Sequence, residues 1–180
     1  EIKKHTVYGY QMLKKEINAS IDSRSALILL NHHERFDGSG YPRGIKGGEI
    51  DEMSIICALS DIYNAMTVDR VYRKALSPNE VYEMMLASGN AMFDIGILKS
   101  FLSCIDPYPE GSFVKLNTGD IGIVRKVNPD LPFRPVLRLI SSNEEVDLQR
   151  ELSLVITAAP GENELSQLAH ATECKRSVLV

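Results

Sequence analysis

Two periodicities divide the chain. Over residues 6–17, Val7, Tyr10, Met12, Leu13 and Ile17 recur among lysines and glutamates at the spacing of one helix face. Leu27-Ile28-Leu29-Leu30 follows Ser25, a residue type that accepts hydrogen bonds from the free amides opening a helix. Asp51 is placed to cap a third helix, in which Ile55, Ile56, Leu59, Ile62 and Met66 keep helical spacing. Ser77-Pro78-Asn79-Glu80 is a capping-box sequence with proline in the first turn, and it opens a fourth helix toward Ser88. A fifth is expected over residues 94–104. Between the second and third, Gly38, Gly40, Gly44, Gly47 and Gly48 predict a loop.

The pattern changes after Asp106-Pro107-Tyr108-Pro109-Glu110-Gly111, a stiff non-helical linker. Residues 113–116 and 121–127, joined by Asn117-Thr118-Gly119-Asp120, read as a hairpin. A loop holding three prolines, 128–135, precedes a strand at 136–140, and one last strand is expected within 146–156. The fold class expected is mainly α, a partial helical bundle, followed by a small antiparallel β-sheet or open barrel. The boundaries expected are 1–105 for the helical part, 112–158 for the β appendage and 161–180 for a tail. That tail is either frayed or one weak helix over 164–172.

Composition narrows the function. At 180 residues and 44 % hydrophobic the chain buries a real core. A net charge of −4 gives no general attraction to nucleic acid or anionic membrane, so phosphate recognition has to be local. Cys57, Cys104 and Cys174 form no CxxC pair, which argues against a disulfide framework or zinc knuckle and fits a reducing cytoplasm. Cys57 and Cys104 read as core. No apolar run approaches the roughly 20 residues that span a bilayer, and a signal peptide is not indicated. The chain begins without Met and reads as part of a longer protein.

The chemistry concentrates in His32-His33-Glu34-Arg35-Phe36-Asp37-Gly38-Ser39-Gly40-Tyr41-Pro42. Neutral imidazole is the commonest protein ligand for transition metals, and a histidine pair beside carboxylates points to a metal site. Asp61 is expected on the apolar side of its helix, where an unpaired carboxylate is costly unless it meets a cation. Glu34 and Asp37 read either as groups orienting the histidines or as loop caps.

The eleven-residue string resembles the HHExxDGxGYP signature of the HD-GYP family, a bacterial branch of the HD-domain metal-dependent phosphohydrolases. His5-Thr6-Val7-Tyr8-Gly9 resembles its HPxxG segment, Ser60–Thr67 its ADxYDAMT helix, and Asp69–Leu76 its DRPYRKAL segment. The resemblance implies metal binding by His5, His32, His33 and Asp61, with His32, His33 and Asp61 catalytic. It implies two or three ions, iron or manganese, and substrate contacts from Gly40, Tyr41, Pro42, Arg70 and Arg73. The reaction implied is hydrolysis of cyclic di-GMP to linear dinucleotide and GMP, and GGDEF-type proteins are implied as partners of the GYP loop.

The departures are specific. No His-Asp doublet occurs in the 180 residues, nor does the H-D-x-x-K stretch expected upstream of His5. The domain thus reads as truncated at its N-terminal side: the parent is expected to be active and the fragment inactive, with self-association or domain exchange covering apolar helix faces. Thr6 and Val71 stand for prolines, and Asn64 for an acid. Two other readings remain open: an HD-type phosphohydrolase of another nucleotide, and a non-catalytic signalling or interaction module.

Overall fold

Five helices form over the segments that periodicity predicts, but α2 begins at Ser23, so Ser25 lies inside that helix rather than capping it. A computed structural model describes residues 1–16, 23–161 and 163–166, and divides into two units, Glu1–Ile105 and Asp106–Val180. In the first, α1 is His5–Glu16, α2 Ser23–Asn31, α3 Glu52–Thr67, α4 Pro78–Ala87 and α5 Ile95–Leu102. Single 3-10 turns occupy Ile2–Lys4, leading into α1, and Gly47–Glu49.

The caps are side-chain hydrogen bonds to amides that a helix start leaves free. Asp51 accepts from the Ser54 amide at 3.0 Å. Ser77 and Glu80 close the capping box, and Asp94 accepts from the amides of Gly96 (2.8 Å) and Ile97 (3.0 Å). Each such cap contributes on the order of 1 kcal/mol.

Helices α3, α4 and α5 pack on one another and close a core around Leu59, Val81 and Leu98, which have no solvent exposure. Burying each stabilises the fold by about 1.5–3 kcal/mol. Helix α1 packs against α2, and α2 against α3. Cys57 is half-buried and Cys104 exposed, so only the first partly fits the core reading. Cys104 lies beyond the last turn of α5, where its thiol meets the Ser100 carbonyl at 3.5 Å.

The second unit is an open five-stranded antiparallel sheet in the order β4-β3-β2-β1-β5. Its strands are β1 Phe113–Leu116, β2 Ile121–Lys126, β3 Val136–Leu139, β4 Glu145–Asp147 and β5 Ile156–Ala158. Alternation sends Val114 and Leu116 inward from β1 and Val124 from β2, to meet Leu137 and Leu148. The hairpin turn has Gly119 at φ 90, the region glycine adopts without strain.

The single last strand expected within 146–156 is two strands, β4 and β5. Asp147 breaks it: its carboxylate accepts from the Gln149 amide at 2.9 Å and its carbonyl from the Arg150 and Glu151 amides, each at 3.0 Å. The turn that results lets β5 pair with β1 rather than continue beyond β4. The tail expected at 161–180 falls outside the described residues except for 161 and 163–166.

Candidate metal centre

The first residue of α1 meets the two residues that follow α2. His5, His32 and His33 each offer a ring nitrogen, and these atoms all lie within 4.8 Å of one another. The ring centroids are 5.4 Å apart for His5 and His32, 4.9 Å for His5 and His33, and 4.2 Å for His32 and His33.

Backbone carbonyls set two of the three tautomers. His5 Nδ1 lies 2.6 Å from the Ile2 carbonyl, and His32 Nδ1 lies 2.9 Å from Leu29 O and 3.2 Å from Ile28 O. A carbonyl only accepts, so both Nδ1 atoms carry a proton, and in the neutral rings both Nε2 atoms present lone pairs. Those two Nε2 atoms face each other at 3.3 Å. Two bare lone pairs at that distance repel unless a metal ion or a shared proton lies between them.

The residues therefore fit a divalent metal. Two imidazole nitrogens bonded to one ion at about 2.0–2.1 Å sit about 2.9–3.4 Å apart for bond angles between octahedral and tetrahedral. The carbonyls of Ile2 and Leu29 hold the opposite nitrogens, as ligating histidines require. The carboxyl end of α2 adds the negative pole of its dipole.

His33 is tuned differently. Burial, then the charges of His32, His5 and Arg35, lower its pKa to about 4, with Asp61 opposing. The imidazole stays neutral at pH 7 and available to a metal. Its ring makes no hydrogen bond among the described residues; Tyr41 stacks on it instead, centroids 4.8 Å apart and planes 27° from parallel.

The glycine-rich loop carries Tyr41 to that position. The Tyr41 amide donates to the His33 carbonyl at 3.1 Å, and the Arg43 amide to Glu34 Oε1 at 2.7 Å. A Cβ on Gly40 would lie 2.3 Å from the Arg35 amide nitrogen and 2.4 Å from Glu34 Cα, so only glycine lets the loop approach this closely. The Tyr41–Pro42 peptide is cis. Asp37 accepts from the Ser39 amide at 2.8 Å. Of the two readings open for Glu34 and Asp37, their hydrogen bonds are those of loop caps. Glu34 is buried, and its Oε2 has no hydrogen-bond partner among the described residues.

Asp61 stands on the exposed side of α3, not on the apolar side expected. It lies about 200° around the helix from Leu59, which is buried. Its carboxylate is outside the group of donors within 4.8 Å, yet its charge raises the pKa of Tyr41 and of Cys57, in both cases after burial.

Among the described residues, no hydrogen bond or ion pair joins Arg70 or Arg73 to the histidines. They pair with each other's backbone across a tight turn whose tip, Val71-Tyr72, is exposed. The Arg73 guanidinium donates to the Ala65 carbonyl near the end of α3 at 2.6 Å.

Two cations beside the site escaped the sequence reading. Arg35 lies with its guanidinium carbon 5.4 Å from the centre of the Phe93 ring and donates to the Glu34 carbonyl at 3.0 Å. Burial lowers its pKa, opposed by the charges of Tyr41, Asp61 and Asp37. Lys3 Nζ lies 5.1 Å from the centre of the Tyr41 ring. Arg35 sits inside the motif at a position the signature leaves free; nothing local marks Lys3.

Residues 1–97 match the family described as HD domain. The chain belongs to the HD-domain family. Its motif blocks and its relatives place it in the HD-GYP branch. HD domains bind divalent metals, in keeping with the histidine cluster. A cyclic di-GMP phosphodiesterase of Pseudomonas aeruginosa is 35 % identical over 128 residues, 68 % of this chain and 29 % of that protein. The cyclic di-GMP phosphodiesterase PdeB of Borreliella burgdorferi is 27 % identical over 154 residues, 86 % of this chain and 40 % of that protein. The 3'3'-cGAMP-specific phosphodiesterase 1 of Vibrio cholerae is 54 % identical over 55 residues, 31 % of this chain and 13 % of that protein. The chain thus spans less than half the length of these relatives. Residues 113–168 match a KOW domain associated with HD domain, which accounts for the β unit. No helix among the described residues is long and apolar enough to cross a membrane.

Proposed function

We propose that this chain is part of a metal-dependent phosphodiesterase whose substrate is cyclic di-GMP. The observation that carries the reading is the meeting of His5, His32 and His33, with two Nε2 atoms 3.3 Å apart, on an HD-family scaffold. The relatives named as cyclic di-GMP phosphodiesterases supply the substrate class.

In this reading His5, His32 and His33 hold iron or manganese, and Asp61 contributes its carboxylate from α3. When bound, such an ion supplies Lewis acidity toward a phosphodiester oxygen and lowers the pKa of water. His33 offers a lone pair rather than a charge because burial keeps it neutral. Arg35, held by Phe93 and the Glu34 carbonyl, is a fixed cation for phosphate, a geometry that a guanidinium recognises in two contacts. Gly40, Tyr41, Pro42, Arg70 and Arg73 are assigned to substrate by family resemblance. The same loop is assigned to GGDEF-type partners, and the exposed Ile2, Tyr8 and Met12 to self-association. With no His-Asp doublet, the 180-residue chain alone is assigned no turnover.

A specific observation favours a second reading of the substrate. The 54 % identity over 55 residues to a 3'3'-cGAMP-specific enzyme favours a hybrid cyclic dinucleotide. Both are tested by joining the chain to a segment bearing a His-Asp doublet, loading it with Fe²⁺ or Mn²⁺, and following each dinucleotide by chromatography. Hydrolysis of cyclic di-GMP with metal bound supports the first reading. Bound metal with that ligand intact and 3'3'-cGAMP cleaved supports the second. Both ligands intact ends the catalytic account.

A further inference from the structure

His33 differs from its two neighbours in what holds it. The rings of His5 and His32 are locked by Nδ1 hydrogen bonds to carbonyls at 2.6 and 2.9 Å. His33 has no such bond among the described residues, and its ring is held by packing alone. An imidazole with only one anchor, its Cβ, rotates about χ2, a broad torsion. A ligand free to do so gives up rotational freedom each time it binds a metal. Histidines that bind metals ordinarily avoid this with a hydrogen bond from the other nitrogen.

Tyr41 occupies the place of that missing restraint. Its ring lies near-parallel on His33 at 4.8 Å, whereas His5 and His32 meet His33 at 82° and 41°. Tyr41 is itself held from three directions. Its amide donates to the His33 carbonyl, the preceding Gly40 packs against the Glu34–Arg35 backbone with no room for a Cβ, and Lys3 lies 5.1 Å from its ring centre. The Arg43 amide on Glu34 closes the loop behind it.

We propose that Tyr41 is a positioning residue for His33: its stacked ring sets the plane in which that nitrogen donor meets a divalent cation. The inference rests on the metal reading of the histidine cluster and adds to it. It assigns the tyrosine ring, not its hydroxyl, a part in cation affinity.

The test uses the 180-residue chain with Tyr41→Phe, Tyr41→Leu and Tyr41→Met. Mn²⁺ affinity is read from the electron paramagnetic resonance of free Mn²⁺, and the histidine rings are followed by NMR without metal. Removing a ligand's support typically weakens metal binding by about 10–100-fold. A loss of that size is expected for Y41L, while Y41F, which keeps the ring, stays within about 2-fold. The His33 ring resonances are expected to move in Y41L while those of His5 and His32 stay in place. Denaturant midpoints show that each variant is folded, and Y41M, which fills the space without a planar ring, replaces Y41L if leucine prevents folding. A folded Y41L or Y41M that binds Mn²⁺ as the parent does overturns the proposal. So do His33 resonances that ignore the substitution. A parent chain that takes up no Mn²⁺ overturns the metal reading itself, and is told apart because no variant is involved.

Discussion

His5 Nε2 and His32 Nε2 lie 3.3 Å apart, 27 positions apart in sequence, with both opposite nitrogens committed to carbonyls. Between neutral rings this contact sets two lone pairs against each other, and a bound cation makes it favourable. His5→Ala and His32→Ala are therefore expected to reduce Mn²⁺ affinity at least 10-fold while changing metal-free stability by less than about 1 kcal/mol, the ordinary size of a lost surface-side interaction. Titration calorimetry and urea midpoints separate the two effects. Unchanged Mn²⁺ uptake in both variants would remove the pair from the ligand set.

Acid titration follows from the same cluster. Folded His33 titrates at about 4 against an ordinary 6.5, so below 6.5 the unfolded chain binds the proton first. Stability of the metal-free chain is full above pH 6.5 and declines as pH falls from 6.5 toward 4. An NMR titration of the imidazole signals is expected to give His33 a midpoint near 4. A midpoint near 6.5 would contradict its burial among like charges.

Gly40→Ala puts a methyl group 2.3 Å from the Arg35 amide nitrogen. The loop must move away, which costs about 1–3 kcal/mol as overpacking does. Because the neighbouring Tyr41 leaves with the loop, the His33 ring resonances are expected to shift as well. A thermal midpoint equal to the parent's would show that the loop yields freely.

Asp61→Asn separates charge from structure. The carboxylate is exposed and makes no hydrogen bond or ion pair among the described residues, so stability is expected to change by less than about 0.5 kcal/mol. Asp61 raises the pKa of Tyr41 and Cys57, so both fall in the variant, and that of His33 falls further. Cation affinity is expected to drop. Spectrophotometric titration of Tyr41 and Mn²⁺ binding check the two halves separately.

The helices were legible because their signals are local. Asp51, Ser77-Glu80 and Asp94 cap α3, α4 and α5 through residues two or three positions away, and periodic apolar side chains complete each element. The split of the last strand into β4 and β5 was not legible, since it depends on Asp147 accepting from the amides of Gln149, Arg150 and Glu151 and on which strand edge is free. Asp61 reads as inward by pattern because Ile62 and Leu59 flank it; only the packing of α3 on α4 and α5 decides which arc of that helix is covered.

The same division runs through the site. The order of residues by itself determined the helical and β halves, the family, and the histidines that would be offered to a metal, because periodicity, capping and motif are properties of near neighbours. Tertiary structure alone decided that His5 reaches His32 and that Tyr41 lies on His33, whereas the carbonyls on the Nδ1 atoms of His5 and His32, those of Ile2 and Leu29, lie only three residues back along the chain. It also decided that Arg35 and Lys3 are cations beside the cluster. The two facing Nε2 atoms meet only when α1 closes on α2, so no local pattern can encode that pairing.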